Sequence, residues 1–158
     1  MTITAGIDIG GTNLRAAAVL ADGTIVAETS LLAPAGWVAL RDAMVTLIQD
    51  LRAEVPDLAA VGVGAAGMVD RNGVVAYSPN VHAFAASPVR SDLEERLSLP
   101  IAVDNDANVA ALAEARLGAA RGCAHALVIT LGTGIGGGVI VNGEVLRGAH
   151  GFAAEVGH

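Results

Sequence analysis

Asp8-Ile9-Gly10-Gly11-Thr12-Asn13 places one carboxylate at the end of an apolar run and follows it with two glycines, a hydroxyl and an amide. Adjacent glycines let a backbone turn tightly and approach a ligand, because no Cβ stands in the way. Their N–H groups can then form a concavity for an anion such as a phosphate. Asp8 is expected at the end of a buried strand, where a carboxylate is costly without a partner. A hydrated Mg²⁺ near nucleotide phosphates is a natural partner. The competing reading is a β-hairpin with a glycine turn and an edge aspartate, since short glycine motifs recur by chance.

Val128 to Val141 repeats this plan: an apolar strand, the turn Gly132-Thr133-Gly134, then a second apolar strand. A tight-hairpin signal follows each copy, Asp22-Gly23 in the first and Asn142-Gly143 in the second. Two such hairpins suggest two lobes gripping one polyphosphate from both sides. Glycine weakens a strand interior unless something approaches closely. The pattern offers no packing reason for the further run Gly136-Gly137-Gly138.

Asp104-Asn105-Asp106-Ala107-Asn108 falls where a short apolar strand meets an alanine-rich helix. The C-terminal end of such a strand is the usual ligand position in α/β sheets. Asp106 at a helix start is also what a structural N-cap looks like. The cluster holds more polar groups than one cap needs. A carboxylate beside an Asn amide can hold a sugar hydroxyl and take its proton. Near the end of the sequence, Glu155 and His158 are three apart and share a face on a helical turn. That spacing suits hydrogen bonds to a polyol or a histidine metal ligand; solvated terminal residues are the plain alternative.

The elements that must position these groups are legible. Residues 4–33 read as three antiparallel strands broken at Gly10-Gly11 and Asp22-Gly23. Trp37, Leu40, Met44, Leu47 and Leu51 form an apolar stripe on a helix over 36–54. A small-residue strand follows over 59–66, then a hairpin turn at Asn72-Gly73. A short helix spans 88–98, a buried strand Ile101 to Val103, and a helix 106–117 with Gly118 as its C-cap. This order implies a mixed sheet with helices packed on it. The change of lobe is expected near Gly118 to Gly122.

At 158 residues the chain suits one domain or slightly more. Its net charge of −7 argues against nucleic acid or an anionic membrane as the main partner. Glycines and charges interrupt every apolar run before transmembrane length. Cys123 has no partner for an intrachain disulfide and is expected to be a buried, inert thiol. A soluble cytoplasmic protein with a Val, Ile, Leu and Ala core is the expectation.

With both glycine loops, the DNDAN cluster and the EVGH ending in this order, the sequence resembles the ROK family of sugar kinases, especially its bacterial glucokinases. The resemblance implies an α/β fold of the actin-like, hexokinase-type (ribonuclease H-like) kind. Residues 1–120 would be the N-terminal lobe, and 121–158 the start of an incomplete second lobe. It implies ATP and Mg as cofactors, a hexose substrate, a cytoplasmic location and a homodimer in the complete protein, with phosphoryl transfer to the 6-hydroxyl of glucose.

Asp8, Gly10, Gly11, Thr12 and Asn13 match the first phosphate loop, Asp8 reaching Mg through water. Gly132, Thr133 and Gly134 match the second loop. Asp106 matches the general base and Asn105 the neighbouring sugar-binding amide. Gly67, Asn80, Glu155 and His158 match sugar-site positions, His158 also ligating a structural zinc. Asn13 stands where many members have lysine, and Ala154 where glycine usually precedes the glutamate. The family's zinc cysteines, a later sugar-binding glutamate and the adenosine-binding portion correspond to chain beyond His158. Two other readings stay open: a catalytically silent, truncated sugar-binding protein, and a ROK transcriptional regulator. Regulators of that kind carry a helix-turn-helix ahead of the first phosphate strand.

Overall fold

The computed structural model describes residues 2–78, 81, 86–132 and 134–157. Strands β1 (Ile3–Ile9), β2 (Asn13–Leu20) and β3 (Ile25–Leu32) run antiparallel, joined by the two expected turns. Helix α1 (Trp37–Glu54) then carries the chain back, so that β4 (Leu58–Ala65) lies parallel to β1. Strands β5 (Met68–Val69) and β6 (Val75–Tyr77) form a small hairpin around Asn72-Gly73. Helix α2 (Val89–Leu97) returns the chain to β7 (Ile101–Asn105), parallel to β4. The five-stranded order is β3-β2-β1-β4-β7. Short turns make antiparallel neighbours and helical crossovers make parallel ones, so this mixed sheet follows directly from the element order.

One face of the sheet is the core. Ile7, Ile9, Leu14, Val61 and Val63 meet the α1 stripe of Leu40, Met44, Leu47, Ile48 and Leu51, and α2 adds Val89, Leu93 and Leu97. Burial of each such side chain stabilises by about 1.5–3 kcal/mol. Because side chains alternate along a strand, the residues between them point to the other face. Gly6, Asp8, Arg15, Gly62, Ala102 and Asp104 therefore line an open cleft of about 980 Å³.

Helix α3 (Asp106–Arg116) leads to a second sheet, ordered β10-β9-β8, of β8 (His125–Leu131), β9 (Ile135–Val141) and β10 (Glu144–Val145). Its inner face packs Ala126, Val128 and Ile140 around Ala111. On β8 the outer face is bare: Leu127 is 60% exposed and Leu131 80%.

The glycine run has a packing reason after all. A Cβ on Gly138 would strike the Ala111 Cβ and lie 2.7 Å from the Ala107 carbonyl oxygen, and one on Gly136 would lie 3.0 Å from the Ala107 Cβ. Gly137, on the opposite face, makes room for Val156 and the Ala154 carbonyl. The small faces of α3 and β9 thus sit backbone to backbone.

Other expectations are corrected. Cys123 is exposed, in the turn region between α3 and β8, with no core element over it. Leu117 rather than Gly118 occupies the C-cap of α3, and Gly118 follows, donating to the Glu114 carbonyl at 3.1 Å. Residues 148–157 form turns and bends, so Glu155 sits on no helical turn. No helix among the described residues is long and apolar enough to cross a membrane.

Candidate functional site

The polar groups gather where β1 and β7 end and α3 begins. Asp8 lies opposite Arg15 on β2 and beside Gly64 on β4. It lies near the end of the central strand, as expected, with its side chain on the open face and exposed. Gly64 in turn lies against α3: a Cβ there would be 3.8 Å from Asp106 Cα. This chain of neighbours brings Asp8 and Asp106, 98 positions apart in sequence, to one place.

Asp106 is not the helix cap. Asn105 is: its Oδ1 accepts from the Ala107 and Asn108 amides at 2.9 and 3.2 Å. The Asn105 Nδ2 donates to the Gly67 carbonyl at 3.0 Å. Gly67 has φ +148°, and a Cβ there would collide with the Tyr77 carbonyl oxygen, so only glycine suits this approach. Two of the sugar-site positions implied by the family resemblance, Gly67 and Asn105, are therefore in direct contact.

With the cap supplied by its neighbour, Asp106 occupies the first helical position, its carboxylate accepting from the Ala107 amide at 2.9 Å. Part of its surface is open to solvent, while the protein packed around the rest displaces water. That burial pushes its pKa above the ordinary carboxylate range, and the negative charge of Asp8 pushes it further the same way. A carboxyl raised by burial and a like charge is suited to accepting a proton.

The first glycine turn closes with the Gly10 amide donating to the Asn13 carbonyl at 3.0 Å. Gly11, Thr12 and Asn13 are exposed at its tip. At the second turn, a Cβ on Gly132 or Gly134 would meet nothing within 4 Å. These two glycines differ in kind from Gly136 to Gly138: protein packing does not require them, and the space beside them is free for a ligand. The second turn also lies near α3, because Gly136 touches Ala107 in the first helical turn. Glu155 is half-buried in the segment after Gly151. Asn80, Thr133 and His158 lie outside the described residues.

The large cleft over the bare sheet does not by itself mark the chemistry. Much of its lining is small and apolar, charged side chains such as Arg15, Glu28 and Arg90 line it too, and it meets the polar cluster through Asp8, Asp104 and Arg147. Asp104 and Arg147 are functional candidates that only the fold brings forward. Arg147 Nε donates to Asp104 Oδ2 at 2.7 Å across 43 positions of chain, a contact no local pattern announces.

A family model described as ROK matches residues 4–158. The chain belongs to the ROK family. It is 39% identical to a glucokinase of Streptomyces coelicolor over 159 residues, covering 100% of this chain and 50% of that protein. A glucokinase of Halalkalibacterium halodurans is 36% identical, over 97% of this chain and 48% of its own length. Among solved structures, a ROK family glucokinase from Streptomyces griseus, in complex with glucose and AMPPNP, superposes with TM-score 0.92 at 40% identity, over 99% of this chain and 50% of that one. This ROK chain thus spans about half the length of the relatives it matches, and it has their mixed-sheet, actin-like fold.

The fit to metals differs between the two implied ions. Gly64 lies beside Asp8 on one side and against Asp106 on the other, so the two carboxylates share one place, a donor pair that suits a hydrated Mg²⁺ with phosphate oxygens. For zinc, no group of three or more His, Cys, Asp or Glu side chains comes together among the described residues, so no step is assigned to it.

Proposed function

We propose that this chain forms the sugar-binding and phosphate-facing part of an ATP-dependent sugar kinase of the glucokinase type, with residues 1–120 as one lobe and 121–158 opening the second. The observation that carries this reading is the pairing of a raised carboxyl, Asp106, with a locked amide, Asn105, at the strand end facing Asp8. The Asn105 side chain has its orientation fixed by Gly67 and by the α3 cap. One Nδ2 hydrogen remains, in a direction already fixed, for a sugar oxygen at little entropic cost.

Asp106 accepts the proton of the attacking hydroxyl, assistance worth roughly 10²–10⁴-fold in rate. The exposed tip at Gly11 and Thr12 and the open space beside Gly132 and Gly134 are where the phosphates would lie. Asp8 would hold a hydrated Mg²⁺ through water, and the ion would supply charge neutralisation at the phosphates.

Glucose titration by calorimetry, followed by a coupled ADP-release assay on the same chain, tests the reading. Weak glucose binding that Asp106→Asn leaves in place, with little or no turnover, is expected, because half the length of the relatives is not represented. Absence of sugar binding, with Asn105→Ala indistinguishable from the parent, overturns the site. Turnover at an ordinary hexokinase rate would overturn the division of labour between the two halves.

A further inference from the structure

We propose that Asp104 is a positioning residue of the sugar site and that Arg147 is the strap that holds it in place. The proposal rests on the site reading above and gives it a control element in the segment that follows the second sheet.

Asp104 makes three contacts at once. Oδ1 accepts from the Asn105 amide at 2.9 Å and from the Asn108 Nδ2 at 3.0 Å, while Oδ2 accepts from Arg147 Nε at 2.7 Å. The first two contacts fix the strand-to-helix turn that presents Asn105 and Asp106. Asn108 depends on Asp104: it is only 2% exposed, and its Oδ1 makes no hydrogen bond among the described residues. A buried amide with one end already unpaired loses its remaining anchor if Asp104 moves.

Arg147 comes from the segment after β10, and that segment is seated elsewhere too. The Gly148 carbonyl accepts from Arg71 Nη2 at 2.6 Å, and the Arg71 carbonyl accepts from Arg90 Nη1 at 3.2 Å. Gly151 has φ +98°, and a Cβ there would lie 2.5 Å from the Val69 carbonyl oxygen. The strap therefore docks on the β5–β6 hairpin while its arginine grips Asp104. The presentation of the sugar-binding turn depends on whether this segment is seated. Arg147 remains 44% exposed against 16% for Asp104, so the contact can open without unpacking the core.

Arg147→Gln, Arg147→Lys and Asp104→Asn in this chain test the strap by thermal melting, native-state hydrogen exchange and glucose titration. Arg147→Gln should leave the overall melt in place while the Ala107 and Asn108 amides exchange roughly tenfold faster. Its glucose affinity should fall by about tenfold, the scale of one lost contact. Arg147→Lys keeps the charge and should recover most of both. Asp104→Asn retains an oxygen for Asn105 and Asn108 but no charge for the guanidinium, so it should copy Arg147→Gln. Exchange and affinity equal to the parent in Arg147→Gln overturn the proposal. So do losses that track a lowered global melt and persist in Arg147→Lys. A parent chain that binds no glucose refutes the site reading instead, and the exchange measurements then decide the strap alone.

Discussion

Asn105 binds two elements with opposite ends of one amide, capping α3 through Oδ1 and holding the Gly67 carbonyl through Nδ2 at 3.0 Å. The two functions separate by substitution. Asn105→Ser keeps a cap of equal quality and, having no amide, loses the donor to Gly67. Asn105→Ala loses both, and should cost about 0.5–2 kcal/mol more in a denaturant or thermal melt. Both should weaken glucose binding. Equal stability in the two variants would show that the cap contributes nothing.

Asp106→Asn separates chemistry from structure more cleanly than a capping residue could, because the cap belongs to Asn105. In a version extended to the two-lobe length of the relatives, kcat should fall by roughly 10²–10⁴-fold with sugar affinity largely kept. Steady-state kinetics beside calorimetric titration reads this. Comparable kcat in the two proteins removes Asp106 from the mechanism.

The same variant carries a pH signature. Burial first, and Asp8 in addition, raise the Asp106 pKa in the folded chain. A raised carboxyl favours the protonated folded form, so its contribution to stability is complete below the unfolded value and is lost as pH rises through the folded one. Asp106→Asn should therefore melt above the parent at neutral pH, with the gap closing as pH falls through the raised folded value and gone below about 3.9. A gap that does not change with pH contradicts the environment assigned to Asp106.

The two classes of glycine in the second hairpin predict opposite outcomes. Gly138→Ala drives a methyl into Ala111 and the Ala107 backbone, and should cost about 1–3 kcal/mol. Gly132→Ala meets open space, so its melt should stay near the parent's while nucleotide affinity in the extended version drops. Equal melts for the two would mean that α3 and β9 are not in close contact.

Ala154 adopts φ +69°, a left-handed conformation that an L-residue with a Cβ adopts at a cost of roughly 1–2 kcal/mol. Ala154→Gly removes that strain and gives back about 0.4–1 kcal/mol through the freer unfolded chain. A small net gain in stability is expected from denaturant titration. A clear loss would mean that the Ala154 methyl has packing value that outweighs the strain.

Local pattern was enough to read most of the elements. The stripe of α1, the turns at Asp22-Gly23, Asn72-Gly73 and Asn142-Gly143, and the strand-to-helix join at Asn105-Asp106 all lie close to where periodicity and turn chemistry put them. These features depend on neighbours within a few positions, so the chain carries them locally. The glycine loops and the DNDAN cluster were legible for the same reason, as was the family.

Tertiary structure decided what each polar group does. Asn105 took the cap from Asp106 because Gly67, 38 positions earlier, fixed its amide. Asp8 faces the open side of the sheet because α1 covers only the side that takes Ile7 and Ile9. Gly136 to Gly138 serve packing because α3 lies across β9, a crossing that strand composition cannot reveal. Arg147 reaches Asp104 only once the second sheet is folded against the first turn of α3. Each of these outcomes depends on groups far apart in sequence meeting at contact distance, and spacing along the chain does not encode that.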